Sequence, residues 1–125
     1  MGATDASEQV RKFDVQPQSV RDARTFVRDF ADAAGADADA AELLASELAT
    51  NAVRHARTSY EVRMGNHAGV LRVEIVNDAP NLLLAMRAPT AEGGRGLAIV
   101  ENVAQDWGTL SHGGEKIVWF ELPTN

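Results

Sequence analysis

The sequence lacks cysteine entirely, which excludes disulfide frameworks, thiolate metal sites and cysteine nucleophiles. It also lacks an N-terminal signal segment and any apolar run near the roughly 20 residues that a membrane-spanning helix requires, so we expect a cytoplasmic protein with no membrane partner. Basic residues are in the minority, because 12 Lys and Arg stand against 18 Asp and Glu and leave a net charge of -6. This balance argues against binding nucleic acid through a broadly basic surface.

The chain is long enough for one domain that folds without disulfides or a structural metal, since it has 125 residues. Residues 1–11 are polar and aperiodic, so we expect a flexible N-terminal tail there. The remaining residues, 12–125, are then expected to form a single domain.

Helical periodicity appears in two early segments, where apolar residues recur at steps of three and four from 19 to 34 and from 39 to 56. Asp39 is the expected capping residue of the second helix. An irregular loop over 80–94 contains prolines and a pair of glycines, and a third helix is expected to begin at about Gly96.

Alternation of apolar and polar residues predicts four strands, at 60–64, 71–75, 107–111 and 116–122. The first two strands are separated by a short turn, and so are the last two, which indicates two hairpins. Hairpins with grouped helices indicate an α+β fold, a two-layer α/β sandwich with a mostly antiparallel sheet and helices on one face.

Two polar residues interrupt the apolar side of the second helix. Glu47 and Asn51 lie one turn apart among leucines, on the side predicted to be buried. A charged carboxylate on such a side is costly unless it is paired or faces water. One interpretation is a structural hydrogen bond to a neighbouring loop. The other is a site in which the carboxylate is a general base and the amide oxygen binds a hard cation.

A glycine-rich turn, Gly-Gly-Arg-Gly-Leu at 93–97, directly precedes the third helix. Backbone N–H groups in such a turn can converge on an anion at a helix N-terminus, although the same pattern is common in simple turns. Magnesium usually binds through one or two protein groups together with substrate phosphates. Beside a candidate magnesium ligand, the turn therefore favours a phosphate site.

These two motifs resemble those of a known family. Glu47-Leu-Ala-Thr-Asn51-Ala-Val-Arg-His55-Ala56 is similar to the N-box of the GHKL ATPases, and Gly-Arg-Gly-Leu at 94–97 is similar to their second glycine box. From about 13 to 122 the chain resembles the small anti-sigma factors that act as serine-protein kinases in partner-switching systems. The resemblance implies a Bergerat-type sandwich that holds ATP and Mg²⁺ between helices and sheet.

The resemblance also implies roles and partners. Glu47 would be the general base that activates a serine on a STAS-type anti-anti-sigma protein, and Asn51 would be the magnesium ligand. The implied nucleotide contacts are Asn51, Arg54, His55, Asn77, Ala79, Gly94, Arg95, Gly96, Leu97 and Ile117. A sigma factor is the other expected partner, and the family often forms homodimers through its sheet.

The chain departs from the family where adenine is recognised. The family's first glycine box has an aspartate, but alignment on Pro80 places Asn77 there. Strand alternation puts Asn77 on the face of Ile75 and Asp78 on the solvent face, unless a bulge reverses the two. Alignment of the last strand places Ile117 where the family has an adenine-reading threonine.

Two hypotheses of different classes follow. In the first, the chain is a Mg-ATP-dependent serine-protein kinase and anti-sigma factor with altered adenine recognition. In the second, it is a nucleotide-independent module of the same fold that binds a sigma factor or an anti-anti-sigma protein.

Overall fold

The computed structural model describes residues 8–77 and 96–124. Its elements, in chain order, are β1 (Glu8–Phe13), α1 (Gln18–Ala34), α2 (Ala38–Asn51), a π-helical segment (Ala52–Ala56), β2 (Tyr60–His67), β3 (Val70–Asn77), α3 (Gly96–Val103), β4 (Asp106–His112) and β5 (Glu115–Pro123). The predicted helices and the two predicted hairpins are confirmed within these ranges. The predicted loop over 80–94 lies outside the described residues.

The strands form one 5-stranded sheet with the order β1-β2-β3-β5-β4. Every neighbouring pair in this described sheet is antiparallel. Helix α1 contacts β2 and β3, α2 contacts α1, β3 and β5, and α3 contacts α2 and β4. The predicted α+β architecture with a mostly antiparallel sheet is therefore confirmed.

Strand β1 corrects the expected N-terminal tail. Residues 8–11 belong to β1, which pairs with β2 from Glu8 opposite Gly65 to Phe13 opposite Tyr60, so the prediction of a tail is wrong for them. The remaining tail residues, 1–7, lie outside the described residues. In β1 Phe13 is the buried residue and the other positions are exposed. An edge strand exposed on both faces has no alternating pattern, which is why its sequence did not predict a strand.

The core lies between the helices and one face of the sheet. Ala23, Val27 and Ala31 form the fully buried stripe of α1, and Gly35 ends that helix in the left-handed conformation. On the sheet, the alternating residues Leu71, Val73, Ile75, Val118, Phe120 and Leu122 are buried. These strands were predicted correctly because burying one face forces the period of two.

Helix α2 is capped two residues earlier than its sequence predicts. Its capping residue is Asp37, whose side chain accepts a hydrogen bond of 3.1 Å from the N–H of Ala40. Asp39 instead forms an ion pair of 2.8 Å with Arg28 of α1. Glu42 is also held by α1, because Arg28 and Arg24 donate to it and lower the pKa of its carboxyl. These pairs tie the two helices together.

The sheet face turned away from the buried stripe carries a set of cross-strand ion pairs. Arg63 contacts Glu61 on its own strand and Glu115 on β5. Arg72 contacts Glu74 at 3.0 Å and Glu121 at 3.2 Å, and its guanidinium lies 4.1 Å from the ring centroid of Trp119. We call this the ion-paired face, and it comprises Glu61, Arg63, Arg72, Glu74, Glu115, Trp119 and Glu121.

Tyr60 gives a spectroscopic test of the buried face, because it is the single tyrosine of the chain. Burial raises the pKa of its phenol, and its Oη lies 2.9 Å from Oγ of Ser19 on α1. We expect tyrosinate absorbance to appear above the ordinary midpoint of about 10 in the folded protein, and at that midpoint in denaturant. Folding stability is then full below about pH 10 and falls as the pH rises further, because the unfolded state loses the proton first. Equal midpoints in the two states would contradict this.

Candidate functional site

The site begins on the last two turns of α2. Leu44 and Leu48 of this helix are buried, whereas Leu43 is 41% exposed and Glu47 is half-buried. The prediction that Glu47 lies near the middle of the buried side is therefore wrong, whereas Asn51 is buried as predicted. Helix α2 packs on α1 as well as on the sheet, which rotates its buried stripe toward Ala41, Leu44, Ala45 and Leu48. Glu47 sits at the edge of that stripe, where solvent lowers the cost of its charge.

Asn51, one turn after Glu47, is only 7% exposed. It is the last residue of α2, and the helix then widens into the π-helical segment Ala52–Ala56. Insertions of this kind inside helices occur frequently at functional sites, because the extra residue redirects the side chains that follow. The segment ends at Arg57, whose φ of 58° is in the left-handed region.

The turn after Arg57 brings Thr58 to the end of β3. Nδ2 of Asn77 donates a hydrogen bond of 2.6 Å to Oγ1 of Thr58. The turn that follows the π-helical segment is thereby connected to the end of β3. Sequence reasoning missed Thr58, since no motif marks it and its role depends on a contact between residues 19 positions apart.

Asn77 is 8% exposed and lies on the buried face of the sheet. The pairing of β3 with β5 runs without interruption from Val70 to Asn77, so Asn77 shares the face of Val73 and Ile75. The predicted orientation of Asn77 is therefore confirmed, and no bulge interrupts this described strand. Asp78 and Ala79 lie outside the described residues.

The register corrects the expectation for Ile117. Ile117 pairs with Val76, whereas the residue directly across from Asn77 is Lys116. Because paired residues of adjacent strands point to the same face, Ile117 lies on the face opposite to Asn77. Ile117, which the alignment places where the family has an adenine-reading threonine, therefore does not share a face with Asn77, because an offset of one residue reverses the face.

The other predicted nucleotide contacts fall in different places. Arg54 is exposed and lines a cavity of about 330 Å³ between α1 and α2, together with Val20, Arg24 and Thr50. The structure does not describe the side chains of His55 and Leu97, and it does not describe Gly94 and Arg95. Gly96 and Leu97 form the first turn of α3, which packs against α2.

Asn77 also borders a cavity at the end of the sheet. This cavity has a volume of about 530 Å³ and is lined in addition by Lys12, Ser59, Glu115 and the turn at Gly113 and Gly114. Glu47 and Asn51 do not line it. The structure thus places Glu47 and Asn51 together on α2, and joins Asn77 to their segment through Thr58.

The described side chains suit magnesium better than a metal ion that takes all of its ligands from the protein. In the described ranges, 8–77 and 96–124, no group of three His, Cys, Asp or Glu could hold a metal ion. Asn51 places a side-chain amide on an otherwise apolar helix face. A hard cation that keeps water and phosphate oxygens as its other ligands accepts one such group, and Mg²⁺ binds in this way.

Buried polar side chains single out the same region. Among the described residues, the buried polar or charged ones are Ser19, Asn51 and Asn77. Ser19 is bonded to Tyr60 at the contact of α1 with the sheet, which gives it a structural role. Asn51 and Asn77 are the two amides that the sequence motifs predicted.

None of the described helices is long and apolar enough to cross a membrane.

Comparison with known proteins identifies the family. A search of curated proteins found no match. Among solved structures, the RsbU and RsbW domains of Rv1364c from Mycobacterium tuberculosis match with a TM-score of 0.69 and 18% identity, over 94% of this chain and 33% of that chain. The present chain thus spans about a third of that protein, and the likeness concerns the fold. Residues 13–121 match the histidine kinase-like ATPase domain, and the chain therefore belongs to the histidine kinase-like ATPase family.

Proposed function

We propose that the chain is an ATP-binding, anti-sigma factor-like serine-protein kinase that phosphorylates an anti-anti-sigma partner of the STAS type. The observation that carries the proposal is the pair on α2, in which a half-buried Glu47 lies one turn before the buried amide of Asn51. Membership of the ATPase family supports nucleotide binding. The fold likeness to a protein with an RsbW domain supports a partner-switching system.

Each residue of the pair has a chemical task in this proposal. Glu47 reaches solvent at the edge of the buried stripe, so a serine hydroxyl of a docked protein can approach its carboxylate and lose its proton there. Asn51 would hold Mg²⁺, which neutralises charge on the phosphates when bound. The proposed phosphate contacts are the backbone N–H groups at Gly94, Arg95, Gly96 and Leu97. Arg54 is proposed only as a peripheral phosphate contact, because it lines the cavity between α1 and α2.

Adenine recognition is proposed to use the amide of Asn77. Its Nδ2 is directed at Thr58, so the carbonyl oxygen is the atom that offers lone pairs to the amino group of adenine. A carbonyl oxygen carries two lone pairs, and it can accept this bond beside another one. The neutral amide is nevertheless a weaker acceptor than a carboxylate.

This weaker acceptor favours the second candidate function, a nucleotide-independent module that binds a sigma factor or an anti-anti-sigma protein. In such a module, Asn77 would simply join β3 to the turn at Thr58. The two candidates differ in one measurable property, the binding of Mg-ATP.

Replacing Asn77 with aspartate is expected to tighten Mg-ATP binding about fivefold, which corresponds to roughly 1 kcal/mol for a charged in place of a neutral acceptor. The hydroxyl of Thr58 can rotate to donate to the new carboxylate, so the local contact survives. Isothermal titration calorimetry measures the change. Asn66→Asp, the same substitution at the far end of β2, is the control and should leave binding unchanged. Absence of heat at millimolar nucleotide in both wild type and Asn77→Asp would exclude the kinase and leave the binding module.

A further inference from the structure

Leu43 is an exposed apolar side chain on a helix that otherwise buries its leucines. It is 41% exposed, whereas Leu44 and Leu48 of the same helix are buried. Within the described ranges, the exposed large apolar residues are Val10, Val15, Leu43 and Leu110. Leu43 is the one of these that lies on a helix. Its exposed surface adds nothing to the packing of α2 on α1 and the sheet, so that packing does not explain a leucine at this position.

Leu43 belongs to a row of side chains along one face of α2. Asp39, Leu43 and Glu47 follow one another at steps of four residues, which places them on the same side of the helix. The carboxylate of Asp39 is held by Arg28 of α1 at 2.8 Å. None of the ion pairs between described side chains includes Glu47. Leu43 and Glu47 are therefore adjacent members of this row that α1 does not hold by an ion pair.

The spacing places Leu43 next to the proposed reaction at Glu47. Four residues advance about 6 Å along a helix axis, at about 1.5 Å per residue. A serine on a folded protein can reach the carboxylate of Glu47 only if the surface around that serine covers the neighbouring turns of α2. A typical specific interface buries about 800 Å² on each partner, which is far more than one helical turn. Leu43 therefore lies inside the area that such a partner covers.

We propose that Leu43 is a docking residue that packs against an apolar side chain of the phosphate-accepting protein, beside the serine that Glu47 deprotonates. This inference rests on the proposed kinase function, and it names the surface that the partner presents: a serine with an apolar neighbour about one helical turn away. The contact removes the exposed part of Leu43 from water, which stabilises the complex. Leu43 positions the serine and takes no part in the transfer of its proton.

The test is phosphate transfer from Mg-ATP to a STAS-type anti-anti-sigma protein, measured over a range of concentrations of that protein with wild type, Leu43→Gln and Leu43→Met. Glutamine is about as good a helix former as leucine, but it ends in a polar amide. We expect Leu43→Gln to raise KM for the protein substrate about fivefold and to leave kcat unchanged, because the contact is lost while Glu47 is intact. Leu43→Met keeps an apolar side chain of similar volume and should keep KM within about twofold of wild type.

Leu110→Thr is the matched control for the loss of an exposed leucine. Leu110 is 47% exposed, but it lies on the edge strand β4, and threonine suits a strand. This variant should have the KM of the wild type. Thermal unfolding verifies that each variant is folded, and calorimetry with Mg-ATP should give the same affinity for all of them, because no nucleotide contact has been changed.

Three outcomes would contradict these expectations in different ways. A wild-type KM in Leu43→Gln, or an equal rise of KM in Leu110→Thr, would overturn the inference and leave the proposed function standing. A changed sedimentation coefficient of Leu43→Gln with an unchanged KM would also overturn it, because Leu43 would then contact a second copy of the chain. Absence of phosphate transfer by the wild type would instead overturn the proposed function, and the inference with it.

Discussion

Glu47→Gln is expected to lower the rate of serine phosphorylation at least about 100-fold, because a positioned general base contributes a factor of about 100 to 10,000. Glutamine has nearly the same size and keeps the packing of the half-buried side chain, but it cannot take the proton of the attacking hydroxyl. Binding of Mg-ATP should be almost unchanged, since the proposed metal ligand, Asn51, lies one turn further along α2.

The measurement is transfer of labelled phosphate from ATP to a STAS-type anti-anti-sigma protein, with nucleotide binding followed in parallel. Glu42→Gln is the matched control, because Glu42 is on the same helix but is held by Arg24 and Arg28 of α1. It should change thermal stability slightly and leave transfer intact. Transfer that continues at the wild-type rate in Glu47→Gln would refute the assignment of the base.

Gly108→Ala is expected to lower the free energy of unfolding by about 1–3 kcal/mol, the usual range for overpacking. A Cβ at this position would lie 2.7 Å from Cζ2 of Trp119 and 2.9 Å from two further ring atoms. The ring cannot easily move away, because the guanidinium of Arg72 lies 4.1 Å from its centroid. The strand β4 would therefore have to shift away from β5.

Urea unfolding of Gly108→Ala and Gly65→Ala separates this clash from the general effect of replacing glycine. At Gly65, a Cβ would meet its nearest atom, in His67, at 3.6 Å, which is ordinary contact. Gly65→Ala should be neutral or stabilising by less than about 1 kcal/mol, because alanine reduces the freedom of the unfolded chain. Equal loss of stability in both variants would show that Trp119 does not restrict position 108.

Strands that bury one face could be predicted from the sequence, because burial imposes a period of two on their residues. Strands that are exposed on both faces could not be predicted in this way. Strand β3 alternates because Leu71, Val73 and Ile75 enter the core, and the same physical cause makes the pattern visible. Strand β1 exposes both faces, so its residues have no period to display. Spacing alone predicts Asp39 as the cap of α2, whereas Asp37 accepts the capping hydrogen bond. Asp39 pairs instead with Arg28 on α1, a contact that no local pattern reveals.

The candidate site shows the same division. Glu47 and Asn51 are four residues apart on one helix, so their proximity follows from the helix geometry that the sequence already predicts. Thr58 and Lys116 meet Asn77 through a turn and a strand pairing. Such contacts depend on the register between distant segments, and an alignment error of one residue exchanges Lys116 for Ile117 and one face of the sheet for the other.

The ion-paired face has a consequence for contacts between copies of the chain. Its two guanidinium groups, of Arg63 and Arg72, contact four glutamates, which leaves a surplus of two negative charges among these residues. Two chains that met through this face would bring surfaces of the same sign together. Ions in solution screen this repulsion over about 10 Å at 0.1 M salt. Dimerisation through the sheet, which the family resemblance implies, should therefore become stronger as the ionic strength rises.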